Sequence, residues 1–438
     1  MDDLSFARAQ MAMSLGFHIL FAVVGVAMPA LMVIAEVQWR RTGDDAYRAL
    51  TRAWSKGTAV LFAVGAVSGT VLSFELGLLF PGFMRHAGAI IGMPFSLEGI
   101  AFFTEAVFLG IYLYGWRRVP PLAHIAAGVG VAVSGLLSAV FVTLANAWMN
   151  APRGFRIDGN GHYVDIDPIA AMTTPFALHE ILHMVVAAYM TTGFAVAAVH
   201  AFVLLREPRS AFHRRGLGVA LVLAVPFTLV QPLVGDLAGK QVARYQPEKL
   251  AAMELLYRTT DHAPLHLGGF PDPEEREARF ALALPGGLSF LAYGDTAAVV
   301  RGLEEFPHDT WPHPVVHYAF QVMVGVGGAL AVLAVAGLVL LVWRRRLPDA
   351  RWFLLGCVAA GPLAFLALEA GWVVTEVGRQ PWIIYGVQRT ADAVTPVRGL
   401  WVPFTLFTLV YLGLSAAVLA LLARQVRESA RPHQGGGP

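Results

Sequence analysis

The stretch that decides the fold is WFLLGCVAAGPLAFLALEAGWVVTEVGRQPW, residues 352–382. A membrane-spanning helix needs roughly 20 mostly apolar residues, and this run supplies them before it reaches Glu376 and Arg379. Pro381 follows at once, and proline disrupts a helix interior. The stretch therefore predicts a transmembrane helix that carries a carboxylate and a guanidinium at one end. Charged groups in such a segment indicate a functional site.

The composition places the whole chain in a lipid bilayer. Its 438 residues are 56% hydrophobic and 14% charged, whereas a soluble domain carries about a quarter charged residues. The single cysteine, Cys357, excludes an intrachain disulfide, and the absence of a C-x-x-C-H motif excludes covalently attached haem. The net charge of +2 gives no indication of a nucleic-acid partner. Asp2 and Asp3 stand where a signal peptide would be basic, so we expect the first span to be retained.

Apolar runs recur along the chain and predict an all-α integral membrane protein with about nine transmembrane helices. The predicted spans are 14–37, 54–78, 95–115, 122–148, 177–204, 217–238, 316–343, 352–375 and 400–423. They show no internal repeat of the kind found in transporters. We therefore predict one polytopic membrane domain over residues 1–438.

The connections between these spans fall into two sets by charge. The arginine-rich set comprises WRRTGDDAYRALTRAWSK (39–56), WRRVPP (116–121), LREPRSAFHRRG (205–216), WRRRLPDAR (343–351) and the tail ARQVRESAR (423–431). The other set comprises PGFMRHAGAIIGMP (81–94), NAPRGFRIDGNGHYVDIDP (150–168), residues 239–315 and GRQPWIIYGVQRTADAVTPVR (378–398). The positive-inside rule makes the first set cytoplasmic. We expect the N-terminus outside and the C-terminus in the cytoplasm.

Residues 239–315 form the only long connection, and a loop of this length is either functional or disordered. Its apolar and aromatic residues, together with the helical segment PEKLAAMELLYR (247–258), favour an ordered loop packed on the outer membrane surface.

Several predicted spans contain polar side chains that are costly in lipid. Glu98 and Glu105 are seven residues apart, so two helical turns place them on one face. His179 and His183, four residues apart, could share a metal, but a single imidazole bound to haem iron suits His183 better in lipid. Considered alone, His18 is equally well explained as a core histidine, and Met323 is better explained as packing than as a ligand.

The depth of these side chains argues for a shared role. With the N-terminus outside, the first, third, fifth and seventh spans begin at the outer face. The residues in the starting halves of those spans are His18, Glu98, His183 and Met323, and Glu376 lies at the outer end of the eighth span. Packing accidents would scatter through both leaflets, whereas these residues fall in one layer near the outer surface.

At this point the chain resembles subunit I of the cytochrome bd-type quinol oxidases along nearly its whole length. The matching segments are GFHILF (16–21), SGTVLSFELGLLFPGF (68–83), EGIAFFTEAVFLGIYLYGW (98–116), LANAWMNAP (144–152), HMVVAAY (183–189), EKLAAMELLY (248–257) and EAGWVVTEVGRQPW (369–382). The last segment, with G-R-Q-P-W at the end of a span, is the most specific. The resemblance implies a haem-containing terminal oxidase of the bacterial cytoplasmic membrane.

The resemblance also implies three haems near the outer face. His183 and Met323 match the axial pair of a low-spin haem b, and such six-coordinate ligation suits electron transfer. His18 and Glu376 match the axial ligands of two high-spin haems, one haem b and the other haem d or a further haem b. The haem propionates are expected to pair with Arg379, whose planar fork matches carboxylates. We expect Trp372 to pack on a macrocycle or to lie at the membrane interface.

Further residues match the family's proton and quinol chemistry. Lys249 and Glu254 match the quinol-oxidising residues, although their sequence alone predicts a solvated loop helix. Glu98 and Glu105 match carboxylates beside the high-spin haems, and Glu105 with Ser138 is a candidate for an inward proton path. The expected reaction releases quinol protons outside, takes protons for oxygen reduction from the cytoplasm and separates charge without a pump.

Family members form a heterodimer with subunit II, often with a small single-span subunit. This chain differs from some members at Gln321, where they carry arginine two residues before the methionine ligand, so the potential of the low-spin haem is open. The outer loop lacks a long C-terminal insertion, which matches the short-loop branch that includes cyanide-insensitive oxidases.

A transporter or channel would also explain buried carboxylates, and a haem-b anchor subunit of a dehydrogenase would explain membrane histidines. Neither accounts for the ordered set of motifs.

Overall fold

The computed structural model describes residues 2–272, 274–345 and 347–429. The helices, in chain order, are α1 (Asp3–Thr42), α2 (Asp45–Leu79), α3 (Pro81–Tyr114), α4 (Pro121–Asn150), α5 (Pro168–Met172), α6 (Ala177–Leu204), α7 (Ala211–Tyr245), α8 (Pro247–Glu254), α9 (Gly287–Tyr293), α10 (Val315–Arg344), α11 (Arg351–Val377), α12 (Thr390–Ala393) and α13 (Trp401–Ser429). Short 3-10 turns cover Leu303–Glu305 and His308–Thr310.

Nine of the helices in the described part of the chain are long and apolar enough to cross a membrane, which confirms the predicted all-α membrane fold. They are α1, α2, α3, α4, α6, α7, α10, α11 and α13. Most extend beyond the predicted spans. Arg346, in one of the arginine-rich connections, and residues 430–438, which include the end of the arginine-rich tail, lie outside the described residues.

Residues 81–94, predicted as a connection, are instead the first turns of α3. Pro81 stands at the start of the helix, where its missing N–H is not needed and its fixed φ is already helical. Phe83, Ala87 and Ile90 are buried at the three- and four-residue spacing of an amphipathic helix. Because only Phe80 separates α2 from α3, the connection between these helices is a sharp turn rather than a loop.

The long helices pack as two groups joined through α1 and α6. In the first group α1 lies against α2 and α4, and α3 lies against α4. In the second group α6 lies against α7 and α11, and α10 packs on α11 and α7. Half of the apolar window of α1, α6 and α11 is buried, compared with 11% for α2 and α13. The helices α1, α6 and α11 therefore form the centre of the protein.

The connections on the predicted outer side contain small two-stranded antiparallel sheets rather than open loops. The strand pairs are β1 (Arg156–Ile157) with β2 (Tyr163–Val164), β3 (Leu265–Leu267) with β6 (Leu282–Leu284), β4 (Phe270–Asp272) with β5 (Glu277–Arg279), and β7 (Trp382–Ile384) with β8 (Gln388–Arg389). The long connection begins after Tyr245 rather than at residue 239, because α7 continues to that point. It has its own core, in which Leu250, Leu256 and Leu288 are buried.

The start of α1 and the segment just before α13 meet at one carboxylate. Asp3, in the first turn of α1, accepts hydrogen bonds from the backbone N–H groups of Gly399 and Leu400 at 3.1 and 3.0 Å. Those residues lie immediately before α13, which packs against α1 and α2. The side chain of Asp3 thus satisfies donors at the start of the last helix.

Candidate functional site

The first part of the site lies among α6, α7, α10 and α11 and contains His183 and Met323. The His183 ring is partly accessible, and its nitrogens lie 3.2 and 3.4 Å from the side-chain amide of Gln231. Met323 is also partly accessible and faces Gly371, where a Cβ would stand 3.1 Å from the Met323 sulfur. Each candidate ligand therefore lies between helices and beside a small or polar residue of a neighbouring helix.

Residues 179–183 read HEILH, the H-E-x-x-H pattern of zinc metalloproteases. The structure gives no support to such a centre, because no three His, Cys, Asp or Glu side chains come together as a metal site within the residues it describes. His179 is buried and its Nδ1 atom has no hydrogen-bond partner. A single axial imidazole needs no such cluster, so the geometry is compatible with haem iron at His183.

His18 forms the second part of the site, between α1 and α2. Its Nδ1 atom lies 3.1 Å from the Ser68 hydroxyl, which leaves the other ring nitrogen for a different partner. The close approach requires a glycine on α2, since a Cβ at Gly69 would lie 2.9 Å from the His18 ring. The ring is partly accessible although α1 is one of the three central helices.

Glu376 and Arg379, at the end of α11, form an ion pair. Arg379 Nη2 donates to Glu376 Oε2 at 2.6 Å, and Asn146 Nδ2 donates to Glu376 Oε1 at 2.5 Å. Arg379 is only 2% exposed, yet its Nε and Nη1 atoms have no hydrogen-bond partner. Buried donors of a guanidinium are expected to be satisfied, so these two atoms indicate a missing acceptor.

Two tryptophans flank this ion pair. Trp372 lies one turn before Glu376 and packs, half-buried, against the core formed by α1 and its neighbours. Trp382 lies in β7, where the guanidinium of Arg389 stands 5.3 Å from its ring centre. The chain thus places Trp372 inside the protein and Trp382 on the predicted outer segment.

Glu98 and Glu105 lie on one face of α3, as their spacing predicts, and both face α4. Ser138 donates a hydrogen bond to Glu98 at 3.1 Å. Glu105 is buried and packs at Gly135, where a Cβ would meet its carboxyl group at 3.1 Å. The three polar residues therefore form one seam between α3 and α4.

Lys249 and Glu254 do not form a solvated helix face, because they are only 2% and 1% exposed. Lys249 donates to Asn150 Oδ1 at 3.2 Å and to the Thr375 carbonyl at 3.4 Å, so its ammonium group points toward the end of α11. Glu254 instead accepts a hydrogen bond from the His266 backbone N–H at 3.0 Å. Lys249 and Glu254, five positions apart on α8, therefore point toward different parts of the protein.

Burial favours the neutral form of both side chains, so it changes their pKa values in opposite directions. Desolvation, with the charge of Arg379 adding to it, lowers the pKa of Lys249 below its usual range. Desolvation raises the pKa of Glu254 to about 7, although the hydrogen bond from His266 opposes the shift. A carboxyl group with that pKa can exchange a proton near neutral pH, as a general acid or base must.

Gln321 connects α10 to the outer loop through two hydrogen bonds. Its amide nitrogen donates to the His266 carbonyl at 2.8 Å, and its oxygen accepts from the Gly268 N–H at 3.0 Å. Gln321 therefore fixes α10 to strand β3, whose His266 in turn contacts Glu254. This connection could not be read from the sequence.

The four candidate ligands are suited to bind haem iron as axial ligands. The four candidate ligands keep accessible surface although they lie between packed helices, as expected of residues that line internal space; they are His18, His183, Met323 and Glu376. Imidazole, thioether and carboxylate are all donors to iron, and the two unpartnered nitrogens of Arg379 match a carboxylate acceptor such as a propionate.

Sequence reasoning missed several buried polar contacts around these residues. On α1, Glu36 binds Arg40 at 2.6 Å and His124 of α4 at 2.9 Å. Gln10 donates to the buried carboxyl of Glu75 at 2.8 Å. Ionisable residues inside predicted spans were the available signal for Glu36 and Glu75, but the partners lie on other helices and could not be paired from one sequence.

Comparisons with known proteins show which family the chain belongs to. The family described as "Cytochrome bd terminal oxidase subunit I" matches residues 6–430. The chain is 40% identical, over 98% of its length and 97% of the relative, to "Putative cytochrome bd menaquinol oxidase subunit I" of Bacillus subtilis (strain 168). It is 26% identical, over 93% of both chains, to the cytochrome bd-II ubiquinol oxidase subunit 1 of Escherichia coli (strain K12).

A solved structure is similar over the whole chain as well. The bd oxidase from Geobacillus thermodenitrificans superimposes with a TM-score of 0.92 at 40% identity, covering 98% of this chain and 99% of the other. The helices that carry the candidate ligands thus belong to a fold that a solved oxidase shares.

Proposed function

The chain belongs to the cytochrome bd terminal oxidase subunit I family, and from this premise we propose that it oxidises quinol at the outer face of a bacterial cytoplasmic membrane and reduces oxygen to water with cytoplasmic protons. Membership makes the protein a quinol:O2 oxidoreductase that works with haem cofactors and a partner subunit. Family membership argues against both alternatives, a transporter or channel and a haem-b anchor subunit of a dehydrogenase.

The observation that carries the proposal is the placement of the candidate ligands. Three of them, His18, His183 and Glu376, lie on α1, α6 and α11, the three most buried spans. Met323 lies on α10, which packs against both α7 and α11. Ligands on central helices are held by packing from several sides, which favours fixed ligation of buried groups.

In this proposal His183 and Met323 hold a low-spin haem b, and His18 and Glu376 each hold one high-spin haem, of type b or d. Haem supplies the one-electron and oxygen chemistry that side chains lack. Gln231 would exchange its contact with His183 for another partner, and Arg379 would use its two free nitrogens for propionates. The hydroxyl of Ser68 orients the His18 ring, as hydrogen bonds to the second nitrogen of a ligating histidine generally do.

Quinol oxidation is assigned to the loop that contains α8. Glu254 accepts a hydroxyl proton and returns it to the outer aqueous phase, because its pKa of about 7 lets it act in both directions near neutral pH. His266 fixes the carboxyl group through its backbone N–H. Lys249 is assigned to the same quinol-oxidising segment, with its charge directed toward Asn150.

Protons for oxygen reduction are assigned to the seam between α3 and α4. Glu105 and Ser138 carry them from the cytoplasmic side, and Glu98 receives them close to the high-spin haems. The N-terminus lies outside and the C-terminus in the cytoplasm. Since electrons and protons reach the oxygen site from opposite sides, the reaction separates charge and needs no pump.

The partner is proposed to be subunit II, with a small single-span subunit. The described surface of the spans exposes many large apolar side chains, as required for contact with lipid or another membrane subunit.

The absorption spectrum of membranes reduced with dithionite tests the proposal. We expect low-spin haem b bands that disappear in His183→Ala and Met323→Leu, and one high-spin signal fewer in each of His18→Ala and Glu376→Ala. Arg379→Gln should lower the haem content. Met190→Leu, at a buried methionine of α6, is the matched control for Met323→Leu and should leave all bands unchanged. A haem-free spectrum of the unaltered oxidase would refute the function.

Quinol turnover provides the second arm. Oxygen consumption should follow addition of ubiquinol or menaquinol analogues, and vesicles should acidify the compartment that faces the α8 loop. Acidification of the opposite compartment would contradict the proposed orientation while leaving the oxidase activity intact.

A further inference from the structure

A continuous run of hydrogen bonds connects Lys249 in the outer loop to Glu376 at the end of α11. Lys249 Nζ donates to Asn150 Oδ1 at 3.2 Å. Asn150 Nδ2 donates to Asn146 Oδ1 at 2.9 Å. Asn146 Nδ2 donates to Glu376 Oε1 at 2.5 Å. Two asparagines one turn apart on α4 therefore join a cation of α8 to a carboxylate of α11.

Every bond in this run donates in the same direction, toward the carboxylate. A second donor, Gln246 Nε2, lies 3.2 Å from the same Asn150 oxygen and also donates to the Asn150 backbone carbonyl, which can only accept. The Asn150 side-chain oxygen must therefore accept, which leaves the Asn150 amide nitrogen to donate onward. The Asn146 amide is oriented in the same way, because its oxygen accepts from Asn150. Successive bonds of this kind polarise and strengthen one another.

The part of the run from Lys249 to Asn150 is enclosed by protein, whereas Asn146 and Glu376 are partly accessible. Asn150 and Gln246 are 0% exposed, and Lys249 is 2% exposed. A branch from Asn150 Nδ2 reaches Glu180 Oε1 of α6 at 3.1 Å. Four helices thus contribute to one polar network, and the loss of any amide would leave buried polar atoms without partners, which is costly. The network has a defined geometry rather than several interchangeable ones.

Glu376 receives a donor on each of its oxygens. Asn146 binds Oε1, and Arg379 binds Oε2 at 2.6 Å. The terminal torsion of a glutamate is broad, so its carboxyl plane is not fixed by rotamer preference. One donor from α4 and one from the turn after α11 fix that plane and therefore fix the direction of the remaining lone pairs.

We propose that Asn146 and Asn150 are positioning residues that set the orientation and donor strength of Glu376 and connect it to Lys249. The inference rests on the proposed role of Glu376 as a haem ligand. Groups that bind a metal ligand typically change metal affinity or activity by about 10–100-fold when they are removed. Through these two asparagines, Lys249 also helps to hold the Glu376 carboxylate in place.

The charge-free replacements Asn146→Leu and Asn150→Leu test the proposal. A carboxylate that loses its amide donor gives more electron density to iron and favours the oxidised form. We expect at least a tenfold change in the reduction equilibrium of the Glu376-linked high-spin haem, a shift of 59 mV for one electron. Its high-spin electron paramagnetic resonance line shape should change too, while the low-spin signal of His183 and Met323 stays unaltered.

Asn160→Leu is the matched control, because Asn160 is an exposed residue of the β1–β2 hairpin and should behave as the unaltered protein. Lys249→Met provides a second variant if an asparagine replacement does not assemble, since methionine keeps an unbranched apolar stem against Gly378. It should shift the same high-spin equilibrium by about threefold or more. Haem content per protein is measured for every variant.

High-spin equilibria within threefold of the unaltered protein in Asn146→Leu, or in Lys249→Met when that variant replaces it, would overturn the inference. Glu376→Ala separates this outcome from a failure of the proposed function. If Glu376→Ala abolishes a high-spin signal while the asparagine variants change nothing, only the inference fails. If Glu376→Ala keeps all signals, the assignment of Glu376 as a ligand fails.

Discussion

Gly371 gives the sharpest test of the proposed low-spin site, because the structure sets how much room Met323 has. A Cβ at position 371 would lie 3.1 Å from the Met323 sulfur, whereas ordinary contacts begin at 3.4 Å. The Gly371→Ala replacement therefore displaces the sulfur by about 0.3 Å or more. Adding a methyl group to a packed interior costs about 1–3 kcal/mol.

In the proposed low-spin site this cost would act on the bond between Met323 and iron, since the sulfur is the group that must move. At about 1.4 kcal/mol for each factor of ten, we expect methionine ligation to weaken by about 5- to 150-fold. The low-spin band of the reduced protein should decrease, and the haem that loses its ligand should bind carbon monoxide. Reduced and carbon monoxide difference spectra measure both effects.

Two further glycines are matched controls. A Cβ at Gly235 would lie 3.8 Å from the His183 ring, an ordinary contact, and a Cβ at Gly325 on α10 meets nothing within 4 Å. Gly235→Ala and Gly325→Ala should keep the low-spin band. Equal spectra for all three variants would refute the reasoning, and so would loss of the band in Gly325→Ala alone.

Three other predictions concern the loop and the proton seam. Since burial raises the pKa of Glu254 to about 7, its carboxyl group is protonated below that pH and ionised above it. Quinol oxidation should therefore rise with pH through about 7, and Glu254→Gln should remove this limb of the pH profile; an unchanged profile would exclude Glu254 as the base. Gln321→Leu removes two hydrogen bonds of about 0.5–1.5 kcal/mol each, so quinol KM should rise several-fold and hydrogen exchange at residues 266–268 should accelerate; unaltered exchange would show that Gln321 does not hold the strand. Glu105→Gln should slow steady oxygen consumption by tenfold or more while haem bands stay normal, because one proton carrier is lost; consumption equal to that of the unaltered protein would exclude Glu105 from the path.

The sequence was sufficient for the membrane fold because apolar length is a local property. All nine spans follow from runs of roughly 20 apolar residues. The start of α3 was missed because Arg85, His86 and Pro94 interrupt the apolar pattern of that segment, although its buried positions keep helical spacing. The decision between loop and helix there depended on packing against other segments, which one sequence does not contain.

The site was only partly accessible to sequence reasoning for the same reason. Motifs identified His18, His183, Met323 and Glu376, yet the contacts around them join residues far apart in the chain. Asn146 and Glu376 are 230 positions apart, and the interval between Asn150 and Lys249 is 99. The five-residue spacing of Lys249 and Glu254 places them about 140° apart around a helix, so the sequence indicated different directions but not which partners they would meet.

The bonds from Asp3 to Gly399 and Leu400 have a consequence for biosynthesis. A ribosome adds Leu400 397 positions after Asp3, so the carboxylate has no such partner until that whole interval has been translated. The first turn of α1 must therefore remain incompletely bonded until the segment before α13 has been made. A chain released before residue 399 lacks the donors that complete this contact between α1 and the segment before α13.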